Sequence, residues 1–298
     1  MRFDGRFAPS PTGSLHLGNL RTALLAWLFA RARDARFLVR MEDLDLGRVR
    51  ERFYGEQLRD LAALGLDWDG TVVRQSERLE RYEAALERLR ADGLVYDCWC
   101  TRAEIREAAS APHGELPEGA YPGTCRFLDA PARAARAASG RPPALRVRAD
   151  GARVGFEDEL AGPIEGVVDD FVIRRNDGAF AYNLAVVVDD AAQAIGEVVR
   201  GTDLLESTPR QLWLAARLGL PEPRHAHVPL LRGPDGARLA KRHGAVTLAE
   251  REALGESPDD VRAALAASVG LCAEDERPTP AELVERFSPD RLRGAIVA

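Results

Sequence analysis

Long apolar runs, cysteine, lysine and aromatic residues are all scarce in this 298-residue chain. No stretch approaches the roughly 20 apolar residues that a membrane-crossing helix needs. The start, Met1-Arg2-Phe3-Asp4-Gly5, lacks the apolar centre of a secretory signal. Four cysteines, at 98, 100, 125 and 272, are too few and too unevenly spaced to staple a chain of this length with disulfides. A cytoplasmic protein with no membrane partner is expected. An excess of positive charge is missing too. The formal net charge is −6, so a nucleic acid would have to be held by a local basic patch and not by the field of the whole molecule. The segment from Ala130 to Ala149 is one candidate patch, with Arg133, Arg136, Arg141, Arg146 and Arg148 and no acid among them; a solvated Arg-rich loop is the plain alternative.

What is present is enough apolar residue, 46%, to bury a real core in one large domain or a few smaller modules. Phe3 to Ala8 reads as a strand stopped by Pro9-Ser10-Pro11-Thr12-Gly13. Leu17, Leu20, Leu24, Trp27 and Leu28 then recur at helical spacing, which predicts a helix over about 18–33. Phe37 to Met41 reads as a buried strand, and two further helices close on Gly65 and Gly93. Strand–helix alternation at these spacings predicts an α/β fold with a parallel sheet and crossover helices. The rhythm breaks between about 95 and 180, which reads as an insertion. It resumes at 181–188 and 198–200, ahead of a helix from about Pro209 to Leu218. The resulting division is 1–94, the inserted 95–180, 181–248, and a helical region over 249–298. There is no internal repeat.

Three constellations carry chemistry. The first runs from Arg6 to Asn19, where a strand enters a rigid Pro/Gly turn that opens a helix. The unpaired N–H groups and partial positive charge of a helix N-terminus suit phosphate. Gly13 and Gly18 would let a ligand approach the backbone, and His16 could donate to an α-phosphate as charge builds there. A lone His-x-Gly would be an ordinary turn; the Pro-Ser-Pro-Thr-Gly lead-in argues otherwise. The second is the basic, Gly-flanked loop Gly236 to Gly244, where Lys241 could close on a triphosphate as pyrophosphate departs. By itself it would be a solvated charge run. The third is Cys98-Trp99-Cys100 with Tyr121 and Cys125. Three thiolates suit zinc, and an oxygen can complete a tetrahedron, although buried reduced cysteines are the bland reading. Cys272 stands apart as a small core residue.

Together these stretches resemble the class I aminoacyl-tRNA synthetases of the glutamyl type. Arg6 to Gly18 matches that family's Arg-Phe-Ala-Pro-Ser-Pro-Thr-Gly-x-x-His-x-Gly signature, and Arg238 to Arg242 stands at its Lys-Met-Ser-Lys-Ser-type loop. Arg40 to Asp45 and Val199 to Leu205 match further stretches. Two departures sit in the loop, Arg238 for its first lysine and Ala240 for its serine; Lys241 is kept. The resemblance implies a Rossmann-like sheet with a zinc-type inserted subdomain and a small helical C-terminal region. It implies glutamate binding by Arg6, Ala8, Ser10, Glu42, Tyr182 and Arg200. It implies ATP binding, with Mg²⁺, by Pro9, Thr12, Gly13, His16, Gly18, Asn19 and Lys241, of which His16 and Lys241 act in catalysis. The forked guanidinium donors of Arg6 and Arg200 suit a carboxylate, and Glu42 suits an ammonium.

The short paralogues of that family, which glutamylate queuosine in the anticodon of tRNA(Asp), share the Cys-x-Cys…Tyr-x-x-x-Cys pattern. That resemblance implies one structural zinc on Cys98, Cys100, Tyr121 and Cys125, with His113 a less favoured fourth ligand. It also implies ATP, glutamate and queuosine-modified tRNA(Asp) as partners of a monomer. The absence of a recognisable anticodon-binding region points the same way. The alternatives are a short glutamyl-tRNA synthetase that charges tRNA(Glu), a non-catalytic RNA-binding paralogue, and a nucleotidyltransferase acting on a small acid.

Overall fold

The computed structural model describes residues 3–101, 103–105, 120–233, 239 and 244–297, the last four by backbone alone. Strand β1 (Gly5–Phe7) is short because Pro9 and Pro11 follow it and cannot donate to a ladder. The chain then enters helix α1 (Leu17–Arg31) and returns along β2 (Phe37–Met41), parallel to β1 with Arg6 opposite Leu38. Helix α2 (Arg52–Ala63) leads to the short β3 (Val73–Arg74), parallel to β2 on its far side.

Helix α1 is apolar nearly all round, which suits a helix covered on every side. Leu20, Leu24, Leu25 and Leu28 are fully buried there, in one core with the sheet and with Leu265, Ala266 and Leu283 of the C-terminal helices. Each such leucine contributes about 1.5–3 kcal/mol. Those helices are α8 (Pro258–Ala267) and α9 (Pro280–Arg286), which follow the short α7 (Leu248–Ala253). Their starts are set by Ser257 and Thr279, whose side chains accept from the amides of Asp260 and Glu282 while those acids reach back to the cap.

A second parallel array is built from β9 (Glu197–Gly201), β10 (Arg224–Val228) and β6 (Arg153–Asp158), in the order β7-β6-β10-β9, with β7 (Gly162–Val167) a hairpin partner of β6. The Asp4 carbonyl accepts from the amides of Gly196 and Glu197. Strands β1 and β9 therefore lie edge to edge, and the two parallel arrays continue one another. Helices α3 (Leu79–Ala91), α5 (Tyr182–Ala192) and α6 (Thr208–Arg217) bury a second core around Tyr82, Leu86, Leu184 and Leu214. The segment 95–180 carries helix α4 (Ala130–Ala138) and is shared between two sheets. Strands β4 (Val95–Cys98), β5 (Ala144–Val147) and β8 (Val172–Arg174) form a separate antiparallel sheet beside the cysteines, whereas β6 and β7 join the parallel array.

Gly65 ends the turn after α2 with φ +74°, and a Cβ there would lie 2.6 Å from Cγ of Pro280 at the start of α9. Gly65→Ala therefore combines left-handed strain with a clash against a rigid ring. Chemical denaturation should show a loss of about 1–3 kcal/mol with an unchanged denaturant slope.

Candidate active site

The carboxyl ends of β1, β2, β9 and β10 face one cavity of about 560 Å³, the place where parallel α/β sheets take ligands. Its rim is the turn after β1, which is tied down from several sides. The Pro9 carbonyl accepts from Glu42 N, the Pro11 carbonyl from Arg50 N, and Gln57 Nε2 donates to the carbonyls of Ser10 and Gly13. His16 caps α1: its Nδ1 accepts from Asn19 N at 3.2 Å, while Asn19 Oδ1 accepts from His16 N. An accepting Nδ1 leaves the ring proton of a neutral imidazole on Nε2, so the ring can donate from that side. Gly18 sits under this ring, where a Cβ would come within 3.0 Å of it. A Cβ on Gly13 would meet nothing within 4 Å.

The floor is charged and buried. Arg6 reaches Asp190 at 3.3 and 3.4 Å. Arg40 donates to Asp190 at 2.8 Å and to Gln193 at 2.7 Å, with Glu42 at 3.5 Å. Burial works against the charge of Arg40, but Asp190, Glu42 and Asp189 outweigh it and hold the guanidinium above its ordinary range. Burial likewise opposes ionisation of Asp190, and Arg6 with Arg40 more than reverse it. For Glu42 burial wins over both arginines, and its carboxyl is raised.

Arg200 differs from the other arginines of the floor. Its guanidinium donates to His227 Nε2 at 3.0 Å, Gln211 Oε1 at 2.7 Å, Thr208 Oγ1 at 2.7 Å, the Tyr182 hydroxyl at 3.3 Å and the Leu204 carbonyl at 3.4 Å. None of these five acceptors is a carboxylate. A cation 4% exposed among neutral acceptors is a place that calls for an anionic ligand. Arg6, Ala8, Pro9, Ser10, Thr12, Gly13, His16, Gly18, Asn19, Glu42, Tyr182 and Arg200 all line this cavity. Of the predicted glutamate and ATP residues only Lys241 is not among them; it lies outside the described residues, as do Arg238 and Ala240. Leu239 is described: its N–H donates to the Leu231 carbonyl, and it lines the cavity wall.

A second cluster sits beside the antiparallel sheet. The sulfurs of Cys98, Cys100 and Cys125 all lie within 4.8 Å of one another, Cys100 and Cys125 at 3.4 Å. The Tyr121 hydroxyl is 3.4 Å from Cys98 Sγ and 3.5 Å from Cys100 Sγ, and it accepts from Cys125 N. A tetrahedral zinc with sulfurs at about 2.3 Å has edges of about 3.8 Å, so these residues fit a metal, with the phenol oxygen at the fourth corner. All three cysteines are reduced. Burial opposes ionisation of Cys98, but the Tyr121 hydroxyl and the Arg146 guanidinium outweigh it and lower that thiol; burial pushes Cys100 up to about 12. His113 lies outside the described residues. Cys272 packs at the edge of the first core.

The candidate basic patch at 130–149 is partly spent on structure. Arg146 is buried over the Tyr121 ring and donates to the Asp170 carbonyl, Arg136 pairs with Glu104 at 3.0 Å, and Arg148 lies over Tyr96. Residues the sequence reading passed over are Asp190, Gln211, Thr208, His227 and Asp158. The signal for Asp190 was a pair of acids in an apolar helix. For His227 it was the alternation His225-Ala226-His227 on an otherwise buried strand.

A parallel sheet with this site at its strand ends defines a catalytic domain of the class I tRNA synthetase kind. The family model described as tRNA synthetases class I (E and Q), catalytic domain, matches residues 3–277. The glutamyl-Q tRNA(Asp) synthetase of Nocardia farcinica (strain IFM 10152) is 62% identical over 290 residues, covering 97% of this chain and 90% of that protein. That of Symbiobacterium thermophilum is 51% identical over 300 residues, covering 97% and 93%. The crystal structure of a glutamate tRNA ligase from Elizabethkingia meningosepticum in complex with its amino acid matches with a TM-score of 0.83 at 25% identity. It covers 98% of this chain, which spans 66% of that ligase chain. The chain belongs to the class I tRNA synthetases of the E and Q group, in the family of the glutamyl-Q tRNA(Asp) synthetases. No helix among the described residues is long and apolar enough to cross a membrane.

Behind Arg200 two histidines are buried side by side. Burial, with Arg200, His227 and Arg6 adding to it, pushes His225 down to about 3. Burial also lowers His227, against the pull of Asp158. Both are neutral in the native protein, whereas the unfolded chain takes up protons near pH 6.5. Below that pH the unfolded state binds more protons. The stability is therefore fully present above about pH 6.5 and is lost as the pH falls towards the folded values. For His225 the slope is about 1.4 kcal/mol per pH unit. Urea melts at about pH 7 and about pH 5 should show this loss, and His225→Phe should flatten it.

Proposed function

We propose that this chain uses ATP to activate glutamate and then transfers the glutamyl group to queuosine in tRNA(Asp). The observation that carries the glutamate reading is the buried Arg200 among neutral acceptors, facing the same cavity as Arg6 and Glu42. Arg6 and Arg40 share Asp190, and Arg40 also borders Glu42 and Asp189, whereas among the described residues no carboxylate is hydrogen-bonded to Arg200. Glutamate, with two carboxylates and one ammonium, is the complementary anion. Its side-chain carboxylate is held by Arg200 and Arg6, its ammonium by Glu42, and its stem by Tyr182, with Ala8 and Ser10 shaping the wall.

The α-carboxylate attacks the α-phosphorus of ATP, the bond to the β-phosphate oxygen breaks, and glutamyl-adenylate and pyrophosphate form. The N-terminus of α1, His16 Nε2 and Lys241 meet the charge that develops on the phosphates, while Pro9, Thr12, Gly13, Gly18 and Asn19 seat the nucleotide. Magnesium, which travels with ATP, supplies further neutralisation of the phosphates. A queuosine hydroxyl then attacks the acyl carbon and AMP leaves. Lys241 is the only lysine of a chain with 41 Lys and Arg residues. Arginine serves at every other basic position, which supports a role that needs a compact ammonium on a flexible stem.

Zinc is the metal that best fits Cys98, Cys100, Cys125 and Tyr121, by thiolate preference and by the spacing of the sulfurs. It would be structural, since the cluster belongs to its own small core with Tyr96 and Trp99. The proposed setting is the cytoplasm, and the proposed working unit is the monomer.

Labelled glutamate, ATP and bulk tRNA from cells able or unable to make queuosine test the acceptor. Label is expected only on the queuosine-containing tRNA; equal labelling of both stocks, or transfer to tRNA(Glu), would refute the proposal. For the metal, Cys98→Ser should lose bound zinc and lower the melting temperature by several degrees, because a structural metal contributes folding energy directly. Zinc loss with unchanged melting would leave it no structural role.

A further inference from the structure

Arg200 is held from behind by a chain of two buried residues that the reaction itself does not touch. His227 Nε2 accepts from Arg200 Nε at 3.0 Å, and His227 Nδ1 lies 2.6 Å from Asp158 Oδ2. His227 is 0% and Asp158 1% exposed. Asp158 is itself anchored: its carboxylate accepts from the backbone amides of Leu160 at 3.0 Å, Ala161 at 2.9 Å and His227 at 3.2 Å. Thr208 Oγ1 accepts from Arg200 Nη2 and stands 3.2 Å from His227 Nε2.

These contacts assign the imidazole. A guanidinium N–H can only donate, so Nε2 facing it must carry a lone pair. Asp158, charged and acceptor-only, takes the proton on Nδ1. The opposite tautomer would point an N–H at a donor on one side and a lone pair at a carboxylate on the other. Both faults would be buried, where an unmade hydrogen bond is most costly.

We propose that Asp158 and His227 are positioning residues, which fix the orientation of Arg200 and present its charge undiminished to a carboxylate. The arrangement solves a specific problem. A carboxylate placed directly on Arg200 would hold the side chain but offset its charge, as Asp190 does for Arg40. With a neutral imidazole interposed, the aspartate supplies direction and the ligand supplies the countercharge. Asp158 ends β6, so the β6–β7 hairpin takes part in the amino-acid pocket through this relay, although neither Asp158 nor His227 lines the cavity.

The inference rests on the glutamate reading of the cavity, and glutamate-dependent pyrophosphate–ATP exchange tests the two separately. Wild type without such exchange would sink that reading. Given exchange, His227→Asn and Asp158→Asn should raise the KM for glutamate about 10- to 100-fold, the worth of one hydrogen bond to a charged group, with the KM for ATP within about twofold. His227→Gln, whose Oε1 can stand where Nε2 stood, should recover most of the loss. Equal rises in both KM values, or no rescue by His227→Gln, would make the pair merely structural and overturn the proposal. Unchanged glutamate KM in both Asn variants would overturn it as well. Should the variants fail to fold, ¹⁵N spectra of the wild-type histidines decide. One of the five must show a proton on Nδ1 and none on Nε2 at neutral pH, and a protonated Nε2 at His227 refutes the relay.

Discussion

Two adjacent aspartates on one apolar helix hold the site together. Asp189 and Asp190 lie on α5, 0% and 7% exposed, and nearly everything they bind comes from the first half of the chain. Asp189 takes Gln75 at 2.9 Å, Arg78 at 2.6 Å and Tyr82 at 2.7 Å; Asp190 takes Arg6 and Arg40. Removing one member of such a buried set leaves an uncompensated charge, which costs about 3–5 kcal/mol. The set therefore ties the helix of one half to the strands of the other. It also decides where the Arg6 guanidinium sits.

The three buried arginines of the floor show how partner choice divides roles among identical side chains. Arg40 donates through its two Nη atoms to Asp190, Gln193 and Glu42 and has no exposed surface. Arg6 shares Asp190 and borders the cavity. Arg200 meets only neutral acceptors and borders it as well. Arg40 is thus part of the scaffold, and the positive charge at Arg200 is the one the proposed glutamate would meet. The same logic separates the cysteines. Three converge with a phenol oxygen, and the fourth packs at the edge of the apolar core.

Much of the candidate site was legible in the sequence. The turn from Arg6 to Asn19 combines strand, prolines, glycine and helix start within a few residues, so its local geometry, and the suitability of that helix start for phosphate, follow from backbone chemistry. Cys98, Cys100 and Cys125 were legible as thiols that suit a metal, and Tyr121 joined them through the resemblance to the short paralogues. Asp158 and His227 were not. They are 69 positions apart, and nothing in either neighbourhood announces that strand β6 returns to pair with β10. The division of 95–180 between two sheets was hidden for the same reason. The Pro-, Gly- and Arg-rich composition of that stretch records loops and turns, while strand pairing is settled by partners far away in the chain.

The sequence by itself determined the elements and their chemistry: a parallel α/β order, a phosphate-suited helix start, a thiol cluster, and the residue types a carboxylate and an ammonium require. These follow from short-range rules of periodicity, capping and donor type. Only the tertiary structure decided which arginine meets no carboxylate, which histidine nitrogen faces one, and how the β6–β7 hairpin comes to stand behind Arg200. Those are properties of burial and of neighbours distant along the chain. A guanidinium reads the same in any sequence, and it is the acceptors packed around it that make it a scaffold or a binding group.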